Sequence, residues 1–103
     1  MTEGLLFRLE ATLSREDDLA RFLEDSLPGT LDELPLTACL AVRFDMTSFG
    51  VIATFSAEEG QAAHVGDRVA AVLREREELY ARTPTVAGFD VLASRVNAAA
   101  VST

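Results

Sequence analysis

His64 is the sole histidine of a 103-residue chain, and it stands in the stretch QAAHVGDRV (61–69) beside a Gly-Asp pair. Imidazole is the side chain that ordinarily titrates near neutral pH, so His64 is the first candidate for acid–base work. Arg8 and Arg43 come next, because a guanidinium fork holds anionic or carbonyl oxygens. Tyr80 offers a hydroxyl donor, and Phe49 and Phe55 offer aromatic wall for a ligand pocket. Cys39, the one cysteine, reads as buried and inert, since nothing near it in sequence lowers a thiol pKa. No nucleophile motif, phosphate loop or paired-carboxylate motif accompanies these residues. Catalytic groups meet in space rather than in sequence, so the elements that carry them matter next.

Around His64 two readings compete. Val65, Val69, Val72 and Leu73 fall on one helical face, which permits a single helix in which Gly66 costs roughly 1 kcal/mol against alanine. The preferred reading is a break. Gly66 then ends a short helix in the left-handed conformation and Asp67 caps the next one. An unbroken helix leaves His64 exposed and off the apolar stripe; a break lets it turn towards a cavity at the sheet.

The other elements follow from periodicity. LLFRLEATL (5–13) alternates with the period of a strand. Ser14, three residues before Asp17, resembles a capping box, and Leu19, Phe22, Leu23 and Leu27 continue at helical spacing. Pro28-Gly29 is expected to interrupt that helix. TACLAVRF (37–44) and FGVIATF (49–55) read as a hairpin around the DMTS turn. Ser56 and Glu59 form an S-x-x-E capping box, and the helical segment it opens runs to about Tyr80, stopped by Thr83-Pro84. VAGFDVLASRV (86–96) is the last strand. The order β-α-β-β-α-β predicts an α+β, ferredoxin-like fold: a four-stranded antiparallel sheet with both helices on one face, in a single domain over 1–103.

Sorting strand residues by parity assigns Leu5, Phe7, Leu9, Ala11, Ala38, Leu40, Val42, Phe44, Val51, Ala53, Phe89, Val91 and Ala93 to the helix-covered face. The second face then carries Leu6, Arg8, Glu10, Cys39, Arg43, Ile52, Thr54, Asp90, Leu92 and Ser94. That mixture is too apolar for a wet face and too charged for a dry core. It suits a sheet-on-sheet homodimer around a small, partly polar cavity.

Composition narrows the partners. Nine basic and seventeen acidic residues leave a net charge of −8, which argues against nucleic acid and anionic membranes. Every basic residue is arginine, read as coding bias rather than as selection for anion forks. One Cys and one His cannot build a structural zinc site within a chain. No apolar run spans a membrane and the N-terminus lacks a secretion signal, so the expected address is the cytoplasm. A domain of this size more easily forms a pocket with a second copy than alone.

The runs GLLFRLEATLSRED, FGVIATFSAEEGQAAHVGDRVAAVL and FDVLASRV resemble the antibiotic biosynthesis monooxygenase-like family. Within them, F-x-x-E-E-G-x-x-A-H ending at His64 is the most specific part. The likeness spans about residues 4–96, and Phe49, Phe55, His64 and Gly66 map onto it. It implies a homodimeric α/β barrel of ferredoxin-like subunits, with a ligand cavity between sheet and helices. It also implies oxidation of phenols or quinols by dioxygen with no metal or flavin, whereas haem-degrading relatives use haem itself. The family's oxygenases rely on Asn and Trp. This chain has no Trp, and its one Asn is Asn97. Two functions therefore stand open: a cofactor-independent monooxygenase, and a non-catalytic dimeric module for a small hydrophobic or aromatic ligand. Arginines unpaired at the cavity favour the first; pairing of Arg8 and Arg43 to Glu10 and Asp90 favours the second.

Overall fold

A computed structural model describes residues 2–95; Val96 and the tail after it lie outside them. The elements are β1 (Thr2–Glu10), α1 (Glu16–Leu31), β2 (Leu36–Arg43), β3 (Ser48–Ser56), α2 (Gln61–Arg74), a 3-10 turn (Glu77–Leu79) and β4 (Thr85–Val91). The strands form one antiparallel sheet in the order β2-β3-β1-β4. This is the ferredoxin-like βαββαβ arrangement read from the sequence.

The central strands carry the core. Phe7, Leu9 and Ala11 of the β1 region and Phe49, Val51, Ala53 and Phe55 of β3 are buried under the helices. They meet Leu19, Phe22, Leu23, Leu27 and Leu31 from α1 and Val65, Val69, Val72 and Leu73 from α2. Each buried large side chain of this kind contributes roughly 1.5–3 kcal/mol relative to exposure.

Several helix boundaries differ from the sequence expectation. Ser14 adopts a left-handed φ of 74° and its side chain does not cap. Its amide instead donates to Glu16 Oε1, 3.1 Å away. Glu16, Asp17 and Asp18 occupy the first turn, where the helix dipole favours carboxylates. Nor does Pro28-Gly29 interrupt α1, which runs through to Leu31. Leu27 and Leu31 are buried on either side of the proline, and their packing outweighs the lost backbone bond. Ser56 is the last residue of β3 rather than a helix cap. Helix α2 begins five residues later, after Gly60 turns the chain with a φ of 79°. The expected break at Gly66-Asp67 does not occur, since α2 is continuous. A methyl group on Gly66 would sit 3.4 Å from Leu5 Cδ1, so the glycine lies where α2 rests on β1. Helix α2 also stops at Arg74, six residues short of Tyr80.

The edge strands invert the expected faces. In an antiparallel sheet, paired residues point the same way. Cys39, Ala41 and Arg43 pair with Ala53, Val51 and Phe49 and so lie on the helix side. Ala38, Leu40 and Val42 share the open face with Thr54, Ile52 and Gly50, and Phe44 follows the same alternation. A bulge between Leu36 and Ala38 shifts the parity of β2, putting Leu36 and Cys39 on one side. In β4, Phe89 pairs with Gly4 and Ala87 with Leu6 on the open face, while Asp90 falls on the helix side.

Candidate functional site

A ligand-sized cleft exists because α2 leaves β4 uncovered. Helix α2 packs on β1 and β3, and Val86 of β4, which shares the helix side with its partner Phe7, stays 56% exposed. The gap is a cleft of about 480 Å³, within the roughly 300–1,000 Å³ of small-molecule sites. Phe7 and Val86 form its floor, Ala70 and Leu73 the helix wall, and Tyr80 and Pro84 the connector wall. Arg74, Glu77 and Arg82 stand at its rim.

The connector is held in place by backbone bonds. Thr12 N donates to Leu79 O and Ala81 N to Glu10 O, each at 2.8 Å, and Tyr80 bridges to Ala11. The Tyr80 hydroxyl donates to Leu73 O at 2.7 Å, satisfying a carbonyl in the last turn of α2. Burial, and secondarily the Glu78 carboxylate, push the Tyr80 pKa far above its ordinary value. The phenol therefore stays protonated and serves as a wall and tether, not as a base.

The other residues named from sequence lie elsewhere. His64 is exposed in the first turn of α2, its amide donating to Gly60 O at 3.0 Å. Arg8 lies exposed on the open face, its guanidinium carbon 5.3 Å from the centre of the Phe44 ring. Arg43 sits over Phe49 at 4.9 Å and donates to the carbonyls of Asp45 (3.2 Å) and Met46 (2.8 Å) in the β2–β3 turn. Neither arginine pairs with Glu10 or Asp90 among the described residues. Phe49 and Phe55 are core residues, 2% and 0% exposed, that touch only smaller clefts at the two ends of the sheet. Of the six, Tyr80 alone lines the main cleft.

Two further environments bear on chemistry. Glu10 accepts hydroxyl bonds from Thr47 (2.7 Å) and Ser48 (2.9 Å), and these hold its carboxyl below the usual range. Cys39 is half-buried beside α1, and burial raises its thiol pKa, so it stays a thiol. Among the described residues no group of three His, Cys, Asp or Glu side chains could hold a metal ion. No described helix is long and apolar enough to cross a membrane.

Sequence reasoning missed Arg74, Glu77, Arg82, Pro84 and Val86. One signal was available: Thr83-Pro84 ends the helical region close to Tyr80, so residues flanking that stop had to line whatever the tyrosine faced.

No family model and no curated protein matches the chain. Among solved structures, the NE2512 protein of unknown function from Nitrosomonas europaea is 32% identical. It is covered over 93% of this chain and 94% of that one, with a TM-score of 0.78. A second Nitrosomonas europaea protein, named as a candidate antibiotic biosynthesis monooxygenase, is 10% identical over 88% and 90% of the two chains, TM-score 0.70. A Caulobacter crescentus protein of the same designation is 14% identical over 89% and 91%, TM-score 0.69. The chain thus belongs to the family of NE2512, built on the antibiotic biosynthesis monooxygenase-like fold.

Proposed function

We propose that the protein is a cytoplasmic, homodimeric, cofactor-independent monooxygenase that takes a small phenol- or quinol-type molecule into the cleft between α2 and β4. The observation that carries this reading is the cleft itself, apolar-walled and of ligand size, in a fold shared with proteins named as candidate monooxygenases. In such chemistry the substrate is the reductant. A methylene beside the phenol loses four electrons and becomes a carbonyl; one oxygen atom enters it and the other leaves as water. The chain supplies orientation, shelter from water and a cation for the developing anion.

The second copy covers the open face, where Leu6, Leu40, Phe44, Ile52 and Phe89 form an apolar surface that a monomer would expose to water. Arg8 lies on that face and in this reading reaches a ligand only where two copies meet, whereas Arg43, on the helix side, and His64, exposed on α2, face neither the second copy nor the cleft.

One observation favours a second reading, a non-catalytic binding module. The Tyr80 hydroxyl is already engaged and stays protonated, and the carboxylate of the cleft, Glu77, stands at its rim, so the apolar wall itself offers no base. An oxygen electrode with an anthrone, a tricyclic phenol carrying one methylene, separates the two. Uptake above the buffer autoxidation rate, with one carbonyl formed per dioxygen and loss on Ala70→Trp, supports the monooxygenase. Saturable binding without uptake supports the module. Absence of both removes the cleft as a site.

A further inference from the structure

We infer that the cleft is built for an aromatic carboxylate, its flat body against Phe7, Leu73 and Val86 and its acid group between Arg74 and Arg82. This rests on the cleft being the ligand site, as proposed above. The two guanidinia come from the elements that bound the cleft: Arg74 closes α2, and Arg82 lies in the connector before β4.

Their place on the cleft rim, together with their lack of partners, is what sets them apart. Arg15, Arg68 and Arg76 are paired with Asp18, Glu33 and Glu78. Arg8 and Arg43 lie over Phe44 and Phe49. Arg21, Arg74, Arg82 and Arg95 have no carboxylate, carbonyl or ring partner among the described residues, and of these Arg74 and Arg82 are the two that line the cleft. Acidic residues outnumber basic ones by eight, so carboxylates for pairing are plentiful in the chain. Arg82 does act through space on Glu10, but each Glu10 oxygen accepts a hydroxyl bond, from Thr47 or Ser48, and Arg82 forms no ion pair with it among the described residues. Two guanidinia at the mouth of an apolar cleft match a ligand with an apolar body and a planar anionic head. Glu77 stands on the same rim and offsets one of the two positive charges, so the rim complements a monoanion and disfavours a dianion.

Calorimetric titration with 1-naphthoate and its neutral counterpart 1-naphthalenemethanol tests the inference on the full chain. The expected result is naphthoate binding about tenfold tighter than the alcohol, the preference shrinking as salt is raised. In Arg74→Gln/Arg82→Gln the two probes should bind within about twofold of each other. Both side chains are exposed, so an unchanged melting curve is expected of the variant. Equal binding of the two probes to the parent protein, or a preference that survives the double substitution, would overturn the clamp while leaving the cleft as a site. Failure of both probes to bind would overturn both.

Discussion

The two faces of the sheet are both rich in apolar side chains, yet they are finished differently. Under the helices, Phe55, Val51 and Ala53 are wholly buried, and interdigitation with α1 and α2 is three-dimensional. On the open face, large rings lie down instead. Phe44 rests on Gly50, where any added side chain would meet Phe44 Cε2 at 2.8 Å, and Phe89 occupies the space above Gly4 in the same way. Rings laid over cross-strand glycines fill the gap a missing side chain leaves. One face is thus covered by its own chain; the other is smoothed by rings that stay partly exposed.

Substitutions can break or sharpen that contrast. Phe55→Ala removes a side chain that is 0% exposed and should cost about 3–5 kcal/mol, read as a fall in the urea midpoint. A loss under about 1 kcal/mol would mean that the helix-covered face is not tightly packed. Leu40→Arg, at a position 57% exposed in the single chain, should leave the monomer folded. In the proposed dimer it should weaken self-association by about 2 kcal/mol, measured by sedimentation. Unaltered association would place the dimer contact elsewhere.

Gly66→Ala probes the covered face more finely. Within a continuous helix, and with the new methyl group at ordinary contact with Leu5, it should add about 0.5–1 kcal/mol of stability. A destabilised variant would mean that α2 cannot accept a methyl group against β1. His64→Ala should be smallest, within about 0.5 kcal/mol and without effect on association, because the imidazole is exposed in the first turn of α2. Unfolding or dissociation of that variant would make His64 structural.

The central strands were legible because one face of each is heavily apolar and the other is not. Phe7, Leu9, Val51 and Phe55 left no choice of side. At the edges the signal is ambiguous for a physical reason. Alternation reports a period of two, not which face is which, and β2 carries its larger apolar residues, Leu40 and Val42, away from the helices, as does Phe44 just after it. The bulge after Leu36 then changes parity within the strand. Gly66 and Pro28 misled for another reason: local propensity argued for breaks, and packing against Leu5 in one case and of Leu27 and Leu31 in the other overrode it. Tyr80 could be found because a lone tyrosine beside a helix stop is conspicuous. Arg74 and Arg82 could not, since nothing in the sequence distinguishes a paired arginine from an unpaired one.

The ring on Gly4 has a consequence for how this chain can change. Because Phe89 fills the space a Gly4 side chain would need, the two positions share a single volume across the β1–β4 ladder. A side chain at Gly4 must displace the Phe89 ring, so the effect of a substitution at one position depends on the residue at the other, and paired libraries will read this coupling where single-site libraries cannot. The same coupling links Gly50 with Phe44, and the sheet's outer surface holds fewer independent positions than its residue count suggests.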